Sequence, residues 1–139
     1  VAPLGAEDGK MILTTDKIGA LIHAAIRSFN ELANPVTPIE AFGDLSDGEK
    51  ALFNSQMAQM VENIKLDPHE LHDKWKVTAQ EMIDAGTISQ DLVANLETYM
   101  LPFRELPVWK KTEYRLQLQL ARTLLRHNRN VERAEKRQR

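Results

Sequence analysis

Thr14-Thr-Asp-Lys-Ile-Gly-Ala-Leu-Ile-His-Ala-Ala-Ile-Arg-Ser-Phe-Asn-Glu-Leu-Ala33 is the stretch that decides the fold class. Ile18, Leu21, Ile22, Ala25, Ile26, Phe29 and Leu32 recur at helical spacing, and Thr14, Thr15 or Asp16 can cap the start. The spacing predicts an amphipathic helix over 14–33. Asn34-Pro35-Val36-Thr37-Pro38 ends it, because each proline disfavours a helical residue before it and lacks an N–H of its own.

The same grammar continues to the end of the chain. Ser46 and Glu49 form a capping box before a second helix carrying Leu52, Phe53, Met57, Met60, Val61 and Ile64 on its apolar stripe. Asp67-Pro68 starts a third, with Leu71, Trp75, Ala79 and Met82 or Ile83 on one face as far as Gly86. Thr87 to Gln90 introduces a short fourth helix with Leu92, Val93, Leu96 and Met100, and Pro102 stops it. Pro107 opens a long fifth, expected to turn Trp109, Leu116, Leu120 and Leu124 to the core. No segment of adequate length alternates with period two, so the expected fold is all-α, a compact bundle of about five helices with little or no strand.

At 139 residues, 42% of them hydrophobic and 27% charged, the chain fits one globular domain and not a disordered one. The absence of cysteine excludes disulfides, thiolate metal sites and a cysteine nucleophile. The longest apolar stretch, around Ile18 to Ile26, is interrupted by His23 and too short to cross a bilayer, so no membrane association is expected. The organisation reads as an extension over 1–13, a helical domain over 14–125 and a basic helix end over 126–139. Met11 resembles a translation start, which makes 1–10 a tag remnant or a processed arm. Residues 126–139 hold six Lys or Arg against Glu132 and Glu135, about +4, within a chain whose net charge is −2. That end suits an anionic partner, either an acidic protein face or nucleic acid, or it is a solvated helix end.

Two proline-bounded loops share a pattern that an all-α fold does not by itself require: Phe42-x-x-Leu45-Ser46-x-x-x-Lys50 and Phe103-x-x-Leu106-Pro107-x-x-x-Lys111, 61 residues apart. In each, an aromatic residue and a leucine anchor a loop just before a helix starts. A pseudo-twofold internal repeat is expected, with Phe42, Leu45, Leu106, Pro107 and Trp109 in structural roles.

On these residues the chain resembles the RyR domain, the repeat first described in ryanodine receptors and also found as small single-domain phage and prophage proteins. The resemblance spans roughly residues 16–126. It rests on Phe42 to Lys50, on His72-x-x-Trp75 within PHELHDKW, and on LPFRELPVWKKTEYR, which supplies Pro102, Phe103, Leu106, Pro107, Lys111 and Arg115. The family's Gly-Trp-x-Tyr-Gly and Lys-x-His-Pro segments are absent, and helix-like Ser89 to Met100 stands where they would lie. The resemblance implies a non-catalytic module that binds a protein partner or a nucleotide-like ligand. It also implies the cytoplasm of a bacterial host, or a virion, as its setting.

Candidate sites follow. His72 and Trp75, three apart on a helix, suit a buried structural pair, with the wall of a ligand cleft as the sharper alternative. With Tyr99, Phe103, Lys111 and Arg115 they form the candidate set for an adenine-nucleotide-like ligand, Trp75 or Tyr99 stacking and Lys111 or Arg115 taking phosphate. Arg122, Arg126, Arg129 and Arg133 form a candidate docking strip for phosphate or an acidic protein. No aromatic residue interleaves with these cations after Tyr114, which ranks nucleic acid low. His69, Glu70, His72 and Asp73 lack the spacing of a zinc motif, so neither a metal nor a cofactor is expected. Ser28, Ser46, Ser55 and Ser89 sit in no nucleophile elbow, and no phosphate-binding glycine loop occurs, so no enzyme is expected.

Overall fold

The computed structural model describes residues 11–36 and 38–138. They form five α-helices, α1 (Thr15–Ala33), α2 (Asp47–Glu62), α3 (Pro68–Ala85), α4 (Gln90–Thr98) and α5 (Val108–Gln138), with 3₁₀ turns at Phe42–Asp44 and Phe103–Glu105. There is no strand among the described residues, and no helix there is long and apolar enough to cross a membrane. Residues 1–10, read above as a tag remnant or arm, lie outside the described residues, as do Thr37 and Arg139.

Each helix start follows from its local chemistry. Thr14 caps α1 by accepting from Lys17 N, and Ser89 caps α4 by accepting from Leu92 N. Ser46 with Glu49, and Asp67 with Glu70, form full capping boxes, so donors that a helix start leaves orphaned are satisfied within four residues of chain. Gly86 ends α3 in the left-handed conformation at φ 68°, where a side chain would be strained.

Helices α1, α2, α3 and α5 build the bundle around Ile18, Ile22, Met57, Met60, Leu71 and Leu118. The principal packings are α1 on α5 and α2 on α3, α1 on α2 and α3 on α5, and α2 on α5; the 3₁₀ turns pack on α1 and α3 respectively. Exchanging α1 with α3 and α2 with α5 leaves that set unchanged. Two units are thus related: α1, the first turn and α2 correspond to α3, the second turn and α5.

Ring contacts repeat in the same way. His23 meets Phe42 and Phe53 with centroids 5.4 and 5.3 Å apart, and His72 meets Phe103 and Tyr114 at 6.1 and 5.2 Å. Phe42 and Phe53 lie 61 positions before Phe103 and Tyr114, whereas His23 lies only 49 before His72. Of the twelve-residue difference, nine lie in the longer connection that holds α4 and three in the extra length of α3 beyond His72. Helix α4 packs through Leu96 on Leu52, Trp75 and Ala79, a second apolar cluster beside the main core.

Two expectations about faces are corrected. On α1, Leu21 and Leu32 are exposed, while His23 and Asn30 are buried, so the inward face is rotated toward Ile18, Ile22, His23 and Ile26. On α5, Trp109, Leu116, Leu120 and Leu124 are half-buried, and the innermost residues are Glu113, Tyr114, Gln117, Leu118 and Ala121. Pro107 is exposed and serves as the helix start, its carbonyl accepting from Lys110 N and Lys111 N, while Leu106 beside it is buried. The basic helix end continues α5, which spans 31 residues and passes residue 126 to reach Gln138, and Val131 within it is buried. Residues 11–13 lie along this part of α5, where the Asn128 amide accepts from Leu13 N at 2.8 Å and donates to Leu13 O at 2.9 Å.

Candidate functional site

His72 shows how the second unit is tied together. Its Nε2 lies 2.7 Å from the Leu101 carbonyl, which can only accept, so Nε2 carries the proton. Nδ1 therefore accepts from the Tyr114 hydroxyl at 2.8 Å. One neutral imidazole joins α3, the turn after α4, and α5. Burial lowers its pKa, opposed by the bond to Leu101, and Lys76 lowers it further. Burial, with the Glu113 charge nearby, pushes the Tyr114 hydroxyl far up, so it stays a donor. Trp75 stacks on His72 with rings 5.7 Å apart and 13° from parallel.

The six residues expected to make one nucleotide site are divided by the fold. His72 is fully buried and lines neither the central cleft nor the outer pocket, which leaves it the structural role. Trp75 and Tyr99 line a central cleft of about 210 Å³ between the two units. Phe103, Lys111 and Arg115 line an outer pocket of about 440 Å³ with His69, Pro102 and Arg104. The reason is helical geometry: Lys110 and Lys111 are neighbours in sequence but about 100° apart around α5, so they open to different cavities. Stacking on Trp75 or Tyr99 with phosphate on Lys111 or Arg115 is therefore not one site.

No carboxylate lines the outer pocket, and Lys111 Nζ donates to the Arg104 carbonyl at 2.9 Å while lying 5.8 Å from the Phe103 ring centre. The central cleft is of different character. Leu52, Phe53, Trp75, Leu96 and Tyr99 give it apolar walls, and Glu49, Gln56, Lys110, Glu113 and Gln117 bring polar groups into it. Gln56 Nε2 donates to Gln117 Oε1, and Lys110 Nζ pairs with Glu113 Oε2 at 3.1 Å. Sequence reasoning missed this polar set, because Glu113 and Gln117 look like surface positions until α2 is packed against α5. The 61-residue offset was the available signal: applied to Gln56 it lands on Gln117.

The docking strip is also divided. Arg122 is spent inside the molecule: its Nε donates to Ile64 O at 2.6 Å and its Nη2 to Leu66 O at 2.7 Å, closing the corner between α2 and α3. Arg126, Arg129 and Arg133 are exposed. Arg129 borders a groove with Val61, Ile64 and Leu125 as apolar floor and Glu62 and Glu132 on its rim. His69 pairs with Asp73 at 3.4 Å, and among the described residues no three metal-ligating side chains come together.

No protein-family model, curated protein or solved structure matches this chain.

Proposed function

We propose that this chain is a non-catalytic, RyR-like binding module that docks on a protein partner in a viral or host assembly, in a bacterial cytoplasm or a virion. The observation that carries the reading is the outer face of α5. Arg126, Arg129 and Arg133 are exposed there and have no hydrogen bond or ion pair among the described residues, on a helix twelve residues longer than α1. A helix this exposed gains little from its own propensity, and a covering partner supplies the missing burial. The adjoining groove favours protein over nucleic acid, because Glu62 and Glu132 on its rim repel phosphates while Val61, Ile64 and Leu125 offer apolar contact.

Reversing Arg126, Arg129 and Arg133 together to Glu tests this. The reading expects a variant that unfolds at the wild-type midpoint and no longer co-purifies in stoichiometric assembly from the native source. A variant that stays in the assembly contradicts it.

A second reading rests on the outer pocket, where the Phe103 ring meets Arg104, Lys111 and Arg115 and no carboxylate is among the lining residues. An adenine-nucleotide-like ligand would place its phosphate on Arg115 and His69 and its base on Phe103. Calorimetric titration of ATP into wild type and Arg115→Ala decides it, and no binding to wild type removes it.

A further inference from the structure

We propose that the central cleft between the two units is a binding site for a small organic monocation, an ammonium carried on an apolar body. The cleft is lined by two carboxylates, Glu49 and Glu113, and by one permanent cation, Lys110. Burial and Arg27 push the pKa of His23, the remaining titratable base on its wall, below its usual value, with Glu49 opposing, so the neutral ring is the form counted here. The formal charge of the lining is thus −1, in a space walled by Phe53, Trp75 and Tyr99. A negative charge in an open cleft with apolar walls is best balanced by a single positive charge attached to an apolar group.

The same wall already holds one ammonium. Lys110 Nζ sits 5.0 Å from the Tyr99 ring centre and 5.9 Å from those of Trp109 and Tyr114, with Glu113 as its counter-ion. Aromatic faces around a carboxylate are the arrangement that recognises ammonium ligands. Glu113 is 2% exposed, and its one ion pair uses Oε2. A second cavity of about 280 Å³ adjoins the first and shares Glu49, Tyr99, Lys110 and Glu113, so a ligand longer than a bare ammonium has room. Leu92, Asn95 and Leu96 of α4 line the first cavity. The site therefore depends on the helix that only one of the two repeated units carries.

The test uses the full chain, titrated with 2-phenylethylammonium and with its neutral counterpart 2-phenylethanol, followed by tryptophan fluorescence and by amide shifts at Tyr99 and Glu113. The cation should bind saturably, about tenfold or more tighter than the alcohol, which corresponds to roughly 1.4 kcal/mol. Glu113→Gln should weaken the cation by about tenfold, and Lys110→Met should tighten it by removing the resident ammonium. If Glu113→Gln does not fold, the Lys110→Met comparison still decides. Equal binding of cation and alcohol, no saturable shift in wild type and Lys110→Met, or no tightening in Lys110→Met overturns the proposal.

Discussion

Gln56 and Gln117, 61 residues apart, hydrogen-bond to each other in the buried contact between α2 and α5. The interval is the one that separates Phe42 from Phe103 and Leu45 from Leu106. When two equivalent residues touch each other, they mark the place where the symmetry operator passes, as at an isologous interface. The closed set of helix packings and the two His–aromatic triangles agree with that placement. The central cleft lies beside this pair, and its asymmetry arises where equivalents differ: Glu49 against Lys110, Leu52 against Glu113, Ile26 against Trp75.

Trp75 is 8% exposed, stacks on His72 and joins the cluster that holds α4. Replacing it with Ala removes a large apolar area and leaves a void that neighbours fill only in part, at a cost of about 3 to 5 kcal/mol. Urea unfolding measures this, and a folded Trp75→Ala protein of unchanged stability refutes the core role.

Acid should destabilise the fold before the carboxylates titrate. His23 and His72 both have pKa values lowered from 6.5, by burial in each case, with Arg27 acting on His23 and Lys76 and Lys110 on His72. Glu49 opposes the shift of His23, and the Leu101 bond and Asp73 oppose that of His72. Below pH 6.5 the unfolded chain therefore binds protons that the folded chain resists, so stability is full above that value and falls as pH decreases toward the folded pKa values. The unfolding midpoint should drop between pH 7 and pH 5, and His23→Gln should flatten the drop. A midpoint constant across that range contradicts the neutral assignment of both rings.

Arg122 and its neighbours along α5 should behave oppositely. Arg122→Met keeps most of the stem but strips two charge-assisted bonds from Ile64 O and Leu66 O, a loss of about 1.5 to 3 kcal/mol. Arg129→Ala and Arg133→Ala should change stability by no more than about 0.5 kcal/mol. Thermal or urea midpoints of the three variants give the comparison.

What the sequence disclosed was local. Ser46 with Glu49, Asp67 with Pro68 and Gly86, and Ser89 each mark a helix end through contacts within four residues or through a backbone angle, so they are visible without any tertiary knowledge. What it concealed depends on distant partners. His23 is inside because Phe42 and Phe53 surround it, and Leu32 is outside because it points away from the side of α1 on which Asn30 is buried. Glu113 and Gln117 are buried where Lys110 pairs with the one and Gln56 of α2 bonds the other. The repeat was legible in its second half, where the interval is constant. The match of His23 to His72 was hidden, because both lie before the α4 insertion, which lengthens every later interval to 61 and leaves theirs at 49. The split of the expected ligand residues between two cavities was likewise unreadable, since it turns on which side of α5 each residue faces.

A double-mutant cycle at Gln56 and Gln117 tests most directly that the two units meet on this pair. Gln56→Leu or Gln117→Leu alone leaves the other amide buried without its partner, and each should cost about 1 to 3 kcal/mol. With both changed, no polar group is stranded, so the double variant should be at least as stable as the weaker single one, with a coupling of about 0.5 kcal/mol or more. Single costs that simply add, with no coupling, would mean the side chains do not meet and would contradict the pairing of the two halves.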